Sequence, residues 1–385
     1  MSLLLAIVLA VGPEIAVAPV RPFAGYPATD QSRAIYLVQP AMPAAGDGAG
    51  FAIAWTSISE TALRPRTLVA RLDSLGQPVF GTARELPVTQ PYYDAVIPSV
   101  AVAPNGYFVA QTESAPLSQR VVVWHLDPTL KPDPQPFAVI GTERITGAMP
   151  AGLVRVDRGR VFVVTSSTIN EYALDGTLVH ATPAHFPADD AVVAAGTLIT
   201  AGDDSQPVRQ FCGFGFCSSP SPEYFDLLVS YDEFFPAPLR MPFYSADRAG
   251  IATDGTTVLY VFSSSYGLMR FLRYDVAGRG PIDPAPRILG AYTSLDRPAK
   301  PAAAFDGTRY VVIWQTAVNG HAALAAAAVE RDGTVAAIAI PSSGDETLPA
   351  VTVAGANRFL ITYQSPRGIA GRFITFGSRR PAAGR

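Results

Sequence analysis

Pro301–Gln315 reads P-A-A-A-F-D-G-T-R-Y-V-V-I-W-Q. A short apolar strand, Pro301–Phe305, meets the turn Asp306-Gly307 and reverses into a more apolar strand, Arg309–Gln315. Glycine supplies the positive φ that such a tight hairpin needs. Weaker copies recur about every fifty residues from Ala41 onward, a period that predicts a β-propeller when the units are short strands and Gly turns.

Each unit divides into four strands, A to D. In the clearest one, A and B are the strands just given, C is Ala322–Glu330, the next turn is Asp332-Gly333, and D is Val335–Ile340. Strand A followed by a Gly turn recurs at Val100–Gly106, Leu153–Gly159, Ala191–Gly196, Ile251–Gly255 and Pro349–Gly355. Strand C ends in an apolar residue and then Asp at Leu72-Asp73, Leu126-Asp127, Leu174-Asp175, Tyr231-Asp232 and Tyr274-Asp275. Asp there bonds its own backbone and opens the next turn.

Strand B is the most apolar: Phe51–Trp55, Tyr107–Ala110, Val161–Val164, Leu198–Thr200, Val258–Phe262, Tyr310–Trp314 and Phe359–Tyr363. Unbroken apolar runs suit strands covered on both faces by neighbouring sheets. The expected fold is therefore all-β: a seven-bladed β-propeller of four-stranded antiparallel blades, with six or eight blades as open alternatives. The last unit stops after its third strand, Gly371–Phe376. An unassigned strand, Ala34–Gln39, precedes the first unit, so Ala34–Val38 is expected to close the ring as the outer strand of the seventh blade, removing a sheet edge.

The wording resembles a family of secreted bacterial repeat proteins built from P-A-x-A-x-D-G-x-x-Y-x-V-V-W units. The likeness is close at Pro301–Trp314 and looser at Pro349–Tyr363 and Ile97–Gln111. It implies the propeller fold and export, and it carries no catalytic residue onto this chain.

Residues 1–24 read as a signal peptide or an N-terminal arm, 25–377 as one propeller domain, and 378–385 as a flexible tail. Leu3–Val11 is an unbroken apolar run too short to span a bilayer, and Ala16-Val17-Ala18 resembles a small-residue cleavage site. No basic residue precedes the run and Pro19 follows the site, both of which count against cleavage. The expected location is secreted or periplasmic, with no membrane span in the mature chain and a monomeric state. Cys212 and Cys217, alone and close together, then read as a local disulfide. A formal charge of −3 provides no basic footprint, which excludes nucleic acid as a natural partner.

Two features stand out on the face that carries the B–C and D–A loops. The loop at about 203–222 holds Phe211, Phe214 and Phe216 around the cysteines, either as an aromatic finger for a partner or as a cap tucked onto the disc. The D–A loops carry Asp94, Asp189-Asp190, Asp247, Asp296 and Asp345-Glu346, each just before a strand A. These acids either form a collar at the channel mouth, a place for calcium, or satisfy backbone N–H groups in their own turns. Tyr92 and Tyr93 lie beside Asp94, with Arg64 and Arg66 nearby, and would suit a sugar or a peptide. His185 and His321 fall in loop-face connections, whereas His125 and His180 fall on strands.

No nucleophile elbow, zinc-protease helix, P-loop or EF-hand loop is present in the sequence. The expected function is a secreted, non-enzymatic scaffold that binds a protein or glycan through Tyr92, Tyr93, Asp94, Asp190, Phe214, Asp247, Asp296 and Asp345. The alternative is an exported carbohydrate-active hydrolase or lyase using channel-mouth carboxylates. No resident cofactor is expected beyond calcium at that mouth.

Overall fold

Strand Arg309–Val318 shows how local sequence makes this architecture in the computed structural model. Successive side chains on a strand point to opposite faces. Tyr310, Val312 and Trp314 therefore pack into one core, against Leu259, Val261 and Phe271. Val311 and Ile313 pack into another, against Phe359, Ile361 and Tyr363. All five are buried, which is why the strand is apolar on both sides. The preceding turn is set by Asp306, whose Oδ1 accepts from the N–H groups of Thr308 and Arg309 at 2.8 and 2.9 Å, with Gly307 at φ 98°.

The structure describes residues 9–18, 37–40, 50–58, 64–88, 94–115, 118–142, 152–184, 188–202, 212–213, 216–217, 225–226, 229–230, 240–241, 249–264, 267–292, 300–342 and 344–377. Among them, seven sheets have three or more strands, all neighbours antiparallel. Sheet 1 runs Leu37–Pro40, Phe51–Ile58, Pro65–Leu72, Arg84–Glu85. Sheet 2 runs Asp94–Ala103, Gly106–Ala115, Ser118–Leu126, Ala138–Thr142, and sheet 3 runs Leu153–Asp157, Arg160–Val164, Thr168–Ala173, Leu178–Pro183. Sheet 4 is the irregular one: Ala188–Ala194, Thr197–Gly202 and Val229–Ser230. Sheet 5 opens with Ala249–Thr253, Thr257–Ser264 and Leu268–Asp275, the last pairing with both Gly280–Pro281 and Arg287–Ala291. Sheet 6 is Ala302–Phe305, Arg309–Val318, His321–Glu330 and Val335–Ile338. Sheet 7 is Thr347–Gly355, Arg358–Ser365 and Gly368–Phe376, with two short strands outside.

The first strand of each sheet touches the first strand of the next, and that of sheet 7 touches that of sheet 1. The ring is thus closed, and it is a β-propeller. Seven buried apolar clusters fill the seven gaps between consecutive sheets. The aromatic residues ending four of the B strands serve this packing. Trp55, Phe262, Trp314 and Tyr363 are all buried, and Trp314 also donates Nε1–H to the Ala291 carbonyl of the preceding sheet at 3.1 Å. Of the expected Asp turns, those among the described residues are present, and Tyr231-Asp232 lies outside them. Asp73, Asp127, Asp175, Asp275 and Asp332 each accept a backbone N–H two residues on.

One expectation is corrected. Ala34–Val38 does not supply the outer strand of the seventh sheet: Leu37–Pro40 is instead the innermost strand of sheet 1, in register with Phe51–Ala54. A strand so close in sequence to its partner closes a short loop at little entropic cost. The outer position belongs to Leu9–Val11 and Ile15–Ala18, inside the stretch read as a signal peptide or an arm. Leu9 stands opposite Phe376, and Ile15 opposite Gly371. The alternation Ile15-Ala16-Val17 makes this possible, since Ile15 and Val17 are buried beside Trp55 and Phe373 while Ala16 faces out.

Candidate functional site

The loop-face mouth of the ring is where the innermost strands begin, and Asp190 stands there at the start of one of them. It lies early in Ala188–Ala194, at a register irregularity between Ala188 and Asp190 that re-aims the chain. Arg155, on the innermost strand of sheet 3, donates Nη2–H to Asp190 Oδ1 at 2.7 Å, and the Ala191 N–H reaches the same oxygen at 2.9 Å. Oδ2 takes the Lys300 ammonium and the Ile251 N–H, each at 3.1 Å. Four donors thus meet the roughly four lone-pair positions of one carboxylate.

The network continues outward from this group. Arg155 donates Nη1–H to Ser99 Oγ of sheet 2 at 3.3 Å and Nε–H to the Ala191 carbonyl. Ser99 Oγ also accepts the Val154 N–H at 3.1 Å, and Asp189 Oδ2 accepts the Ala249 N–H at 3.1 Å. Groups on sheets 2, 3, 4 and 5, with Lys300 at the entry to sheet 6, are joined in one chain of polar contacts. Burial would push the Asp190 carboxyl up, but Lys300, Arg155 and the Ile251 N–H outweigh it and hold the group below the usual carboxylate range.

That direction matters chemically. A general acid needs a raised carboxyl, and a metal ligand needs open lone pairs. Asp190 has its proton affinity lowered and its oxygens occupied, so it is built as a tie between sheets.

Asp345 is placed differently. It is exposed, sits at φ 55°, and faces His321 Nδ1 at 3.3 Å on the neighbouring B–C hairpin. Among the described residues it has no partner in common with Asp190. Asp94 begins the innermost strand of sheet 2 opposite Ser114, and its side chain is outside the described ones. Tyr92, Tyr93, Phe214, Asp247 and Asp296 lie outside the described residues, as do Phe211 and His185. Cys212 stands directly opposite Cys217 in a short antiparallel hairpin, and their side chains are outside the described ones. His125 is held by Asp133 at 2.9 Å and faces Asn105 at 3.3 Å, on the far side of the disc. Among the described residues, no group of three or more His, Cys, Asp or Glu is arranged to hold a metal ion.

Sequence reasoning passed over several residues. Arg155 and Lys300 complete the Asp190 site, and each carried a faint signal. Arg155 interrupts an apolar strand, L-V-R-V, and Lys300 is, besides Lys131, the only lysine in the chain. A second buried charge pair was also missed. Glu113 accepts from Arg120 at 2.7 and 2.9 Å and from Gln111 at 3.0 Å, near the B–C end of sheet 2.

No family model matches this chain, and no curated protein does. Among solved structures, the Pan2 WD40 domain of Neurospora crassa is similar, with 8% identity over 97% of this chain and 96% of that one, at a TM-score of 0.54. BamB of Moraxella catarrhalis shares 14% identity over 97% of this chain and 99% of its own, at 0.44. The β-propeller domain of the Trilobed protease from Pyrococcus furiosus shares 10% identity over 89% of this chain and 96% of its own, at 0.47. Identities this low speak to fold alone.

Proposed function

We propose that this β-propeller is a non-catalytic scaffold that binds a protein or glycan through its loop face. One observation carries the reading: the Asp190 carboxylate at the mouth is fully engaged by Arg155, Lys300 and two backbone N–H groups. A rigid frame is tied together where a hydrolase or lyase would keep a reactive acid. Binding then falls to the loops that differ between units, which is where function sits on a repeated scaffold. Tyr92, Tyr93, Asp94, Phe214, Asp247, Asp296 and Asp345 are the residues proposed to line it. A Cys212–Cys217 disulfide is proposed to stiffen the longest of those loops. No resident cofactor is proposed.

The location that goes with this reading is secreted or periplasmic, supported by the apolar run Leu3–Val11 and by Ala16-Val17-Ala18. Those residues overlap the strands that close sheet 7, so cleavage after Ala18 would strip them. The intact mass of protein recovered after export distinguishes a chain that keeps Leu9–Ala18 from one that loses it.

The functional test is a panel of glycans, polysaccharides and peptides scored for both retention and cleavage. Retention without turnover, weakened by substituting Asp345 or Tyr93, is the expected result. Turnover of any panel member, lost in Asp345→Asn, would replace the scaffold with the carbohydrate-active alternative.

A further inference from the structure

The outer strands of sheet 7 are attached unlike any other strands described. Every other sheet takes its strands from one stretch of chain, whereas Leu9–Val11 and Ile15–Ala18 join residues more than three hundred positions away. The two pieces are separated by Gly12-Pro13-Glu14, where Pro13 has no N–H to offer a ladder. A single backbone bond, Gly12 N–H to the Phe373 carbonyl at 2.8 Å, spans that break. Residues 19–36 then lead to Leu37, a connection longer than the usual two to six or so residues between strands.

The place these strands occupy is nonetheless chemically specific. Glu14 Oε2 accepts from the Tyr363 hydroxyl at 2.8 Å and lies 3.2 Å from the Arg372 guanidinium, which itself donates to the Tyr363 oxygen at 2.9 Å. Ile15 and Val17 enter the cluster containing Phe51, Trp55, Ile369 and Phe373. The slot thus reads an extended peptide in three ways: main-chain pairing along Gly368–Phe376, a carboxylate at one position, and β-branched side chains one and three residues later. This is strand addition to a sheet edge, with side-chain pockets supplying selectivity.

The ring is also closed by contacts that do not involve the filler. Leu37–Pro40 contacts Thr347–Gly355 directly, and Phe51 meets Phe373 with ring centroids 6.1 Å apart. We propose that the outer edge of Gly368–Phe376 is a docking slot for a detachable strand, and that Leu9–Ala18 of a second copy of this chain fills it by exchange. A long connection lets the segment leave its own sheet without unfolding the ring, and a fully extended 18-residue link reaches about 60 Å. Identical chains then trade identical strands, the least demanding route to a paired form.

The probe is a fluorescein-labelled peptide spanning residues 9–18, incubated with the full chain below its unfolding temperature. Uptake to one peptide per chain is expected, and a peptide carrying Glu14→Gln should be taken up at least tenfold more weakly. Concentrated full-length protein, incubated likewise and then diluted, should show a dimer by light scattering that reverts slowly. Replacing Ala10 and Thr375 by cysteine, which stand opposite one another, in a Cys212→Ser, Cys217→Ser background, should lock the segment home and abolish both uptake and dimer. Absence of peptide uptake overturns the proposal, as does equal uptake of the Glu14→Gln peptide. Dimer formed equally by the oxidised, locked variant overturns it too. Should the locked variant fail to fold, the two peptides decide alone.

Discussion

Replacing Asp190 by Ala removes the anion that pairs with both Arg155 Nη2 and Lys300 Nζ. Asp190 is nearly inaccessible, with 7% of its surface exposed. Deleting one partner of a buried pair leaves the other charges uncompensated, at about 3–5 kcal/mol. The N–H groups of Ala191 and Ile251 lose their side-chain acceptor as well. A chain of 385 residues unfolding at ~2.1 cal/mol/K per residue has an unfolding entropy near 0.8 kcal/mol/K, so the expected drop in Tm is about 4–6 °C. Calorimetry on Asp190→Ala, Lys300→Met and the double variant measures it. The two losses should be coupled by about 1–3 kcal/mol, since the residues touch. A pH series adds a signature. The folded chain holds the Asp190 carboxyl below its unfolded value, so this stabilisation is present above about pH 4 and is lost as pH falls through the lowered folded value. Asp190→Ala should therefore flatten the acid limb of the wild-type stability curve. A Tm within about 1 °C of wild type, with additive losses and an unchanged acid limb, would refute the view of Asp190 as a tie between sheets.

Three further outcomes are expected. A Cβ at Gly250 would collide with the Pro301 carbonyl oxygen where the innermost strands of sheets 5 and 6 meet, so Gly250→Ala should cost about 1–3 kcal/mol in a denaturant titration. Burial raises the phenols of Tyr310 and Tyr363, so the stability they confer is present below about pH 10 and is lost as pH rises further; alkaline absorbance should show both ionising only as the fold opens. Millimolar calcium should shift Tm by less than about 1 °C, whereas a site filled a hundredfold above its Kd would add about 2.7 kcal/mol and restore the acidic collar as a metal site.

The parts of this fold legible in sequence are those where cause and effect lie close along the chain. Asp306-Gly307 turns the chain within four residues, and Tyr310–Trp314 is apolar on both faces because both faces are covered. Asp73 and Asp127, after the C strands of sheets 1 and 2, serve donors two to four residues on, so pattern alone revealed them. The misplaced closing strand shows the limit. Ala34–Gln39 and Leu9–Ala18 are both short, apolar and upstream of the first unit, and only the contacts of Ile15, Val17 and Glu14 with sheet 7 separate them. The mouth was half legible. Its acids recur at one position in the unit, but the cations that neutralise Asp190 come from positions 35 and 110 residues away, outside any repeat register.

Leu9 lies opposite Phe376, and the Phe376 N–H bonds the Asn357 carbonyl in the first turn of sheet 7. Leu9 and Phe376 therefore stand side by side on the face that carries the tight Asp-Gly turns. A tether attached at either of these two positions, whether a lipid, a neighbouring domain or a solid support, would hold that face toward its anchor and turn the variable loops outward. In a biosensor or display format, coupling through either position should give the same orientation.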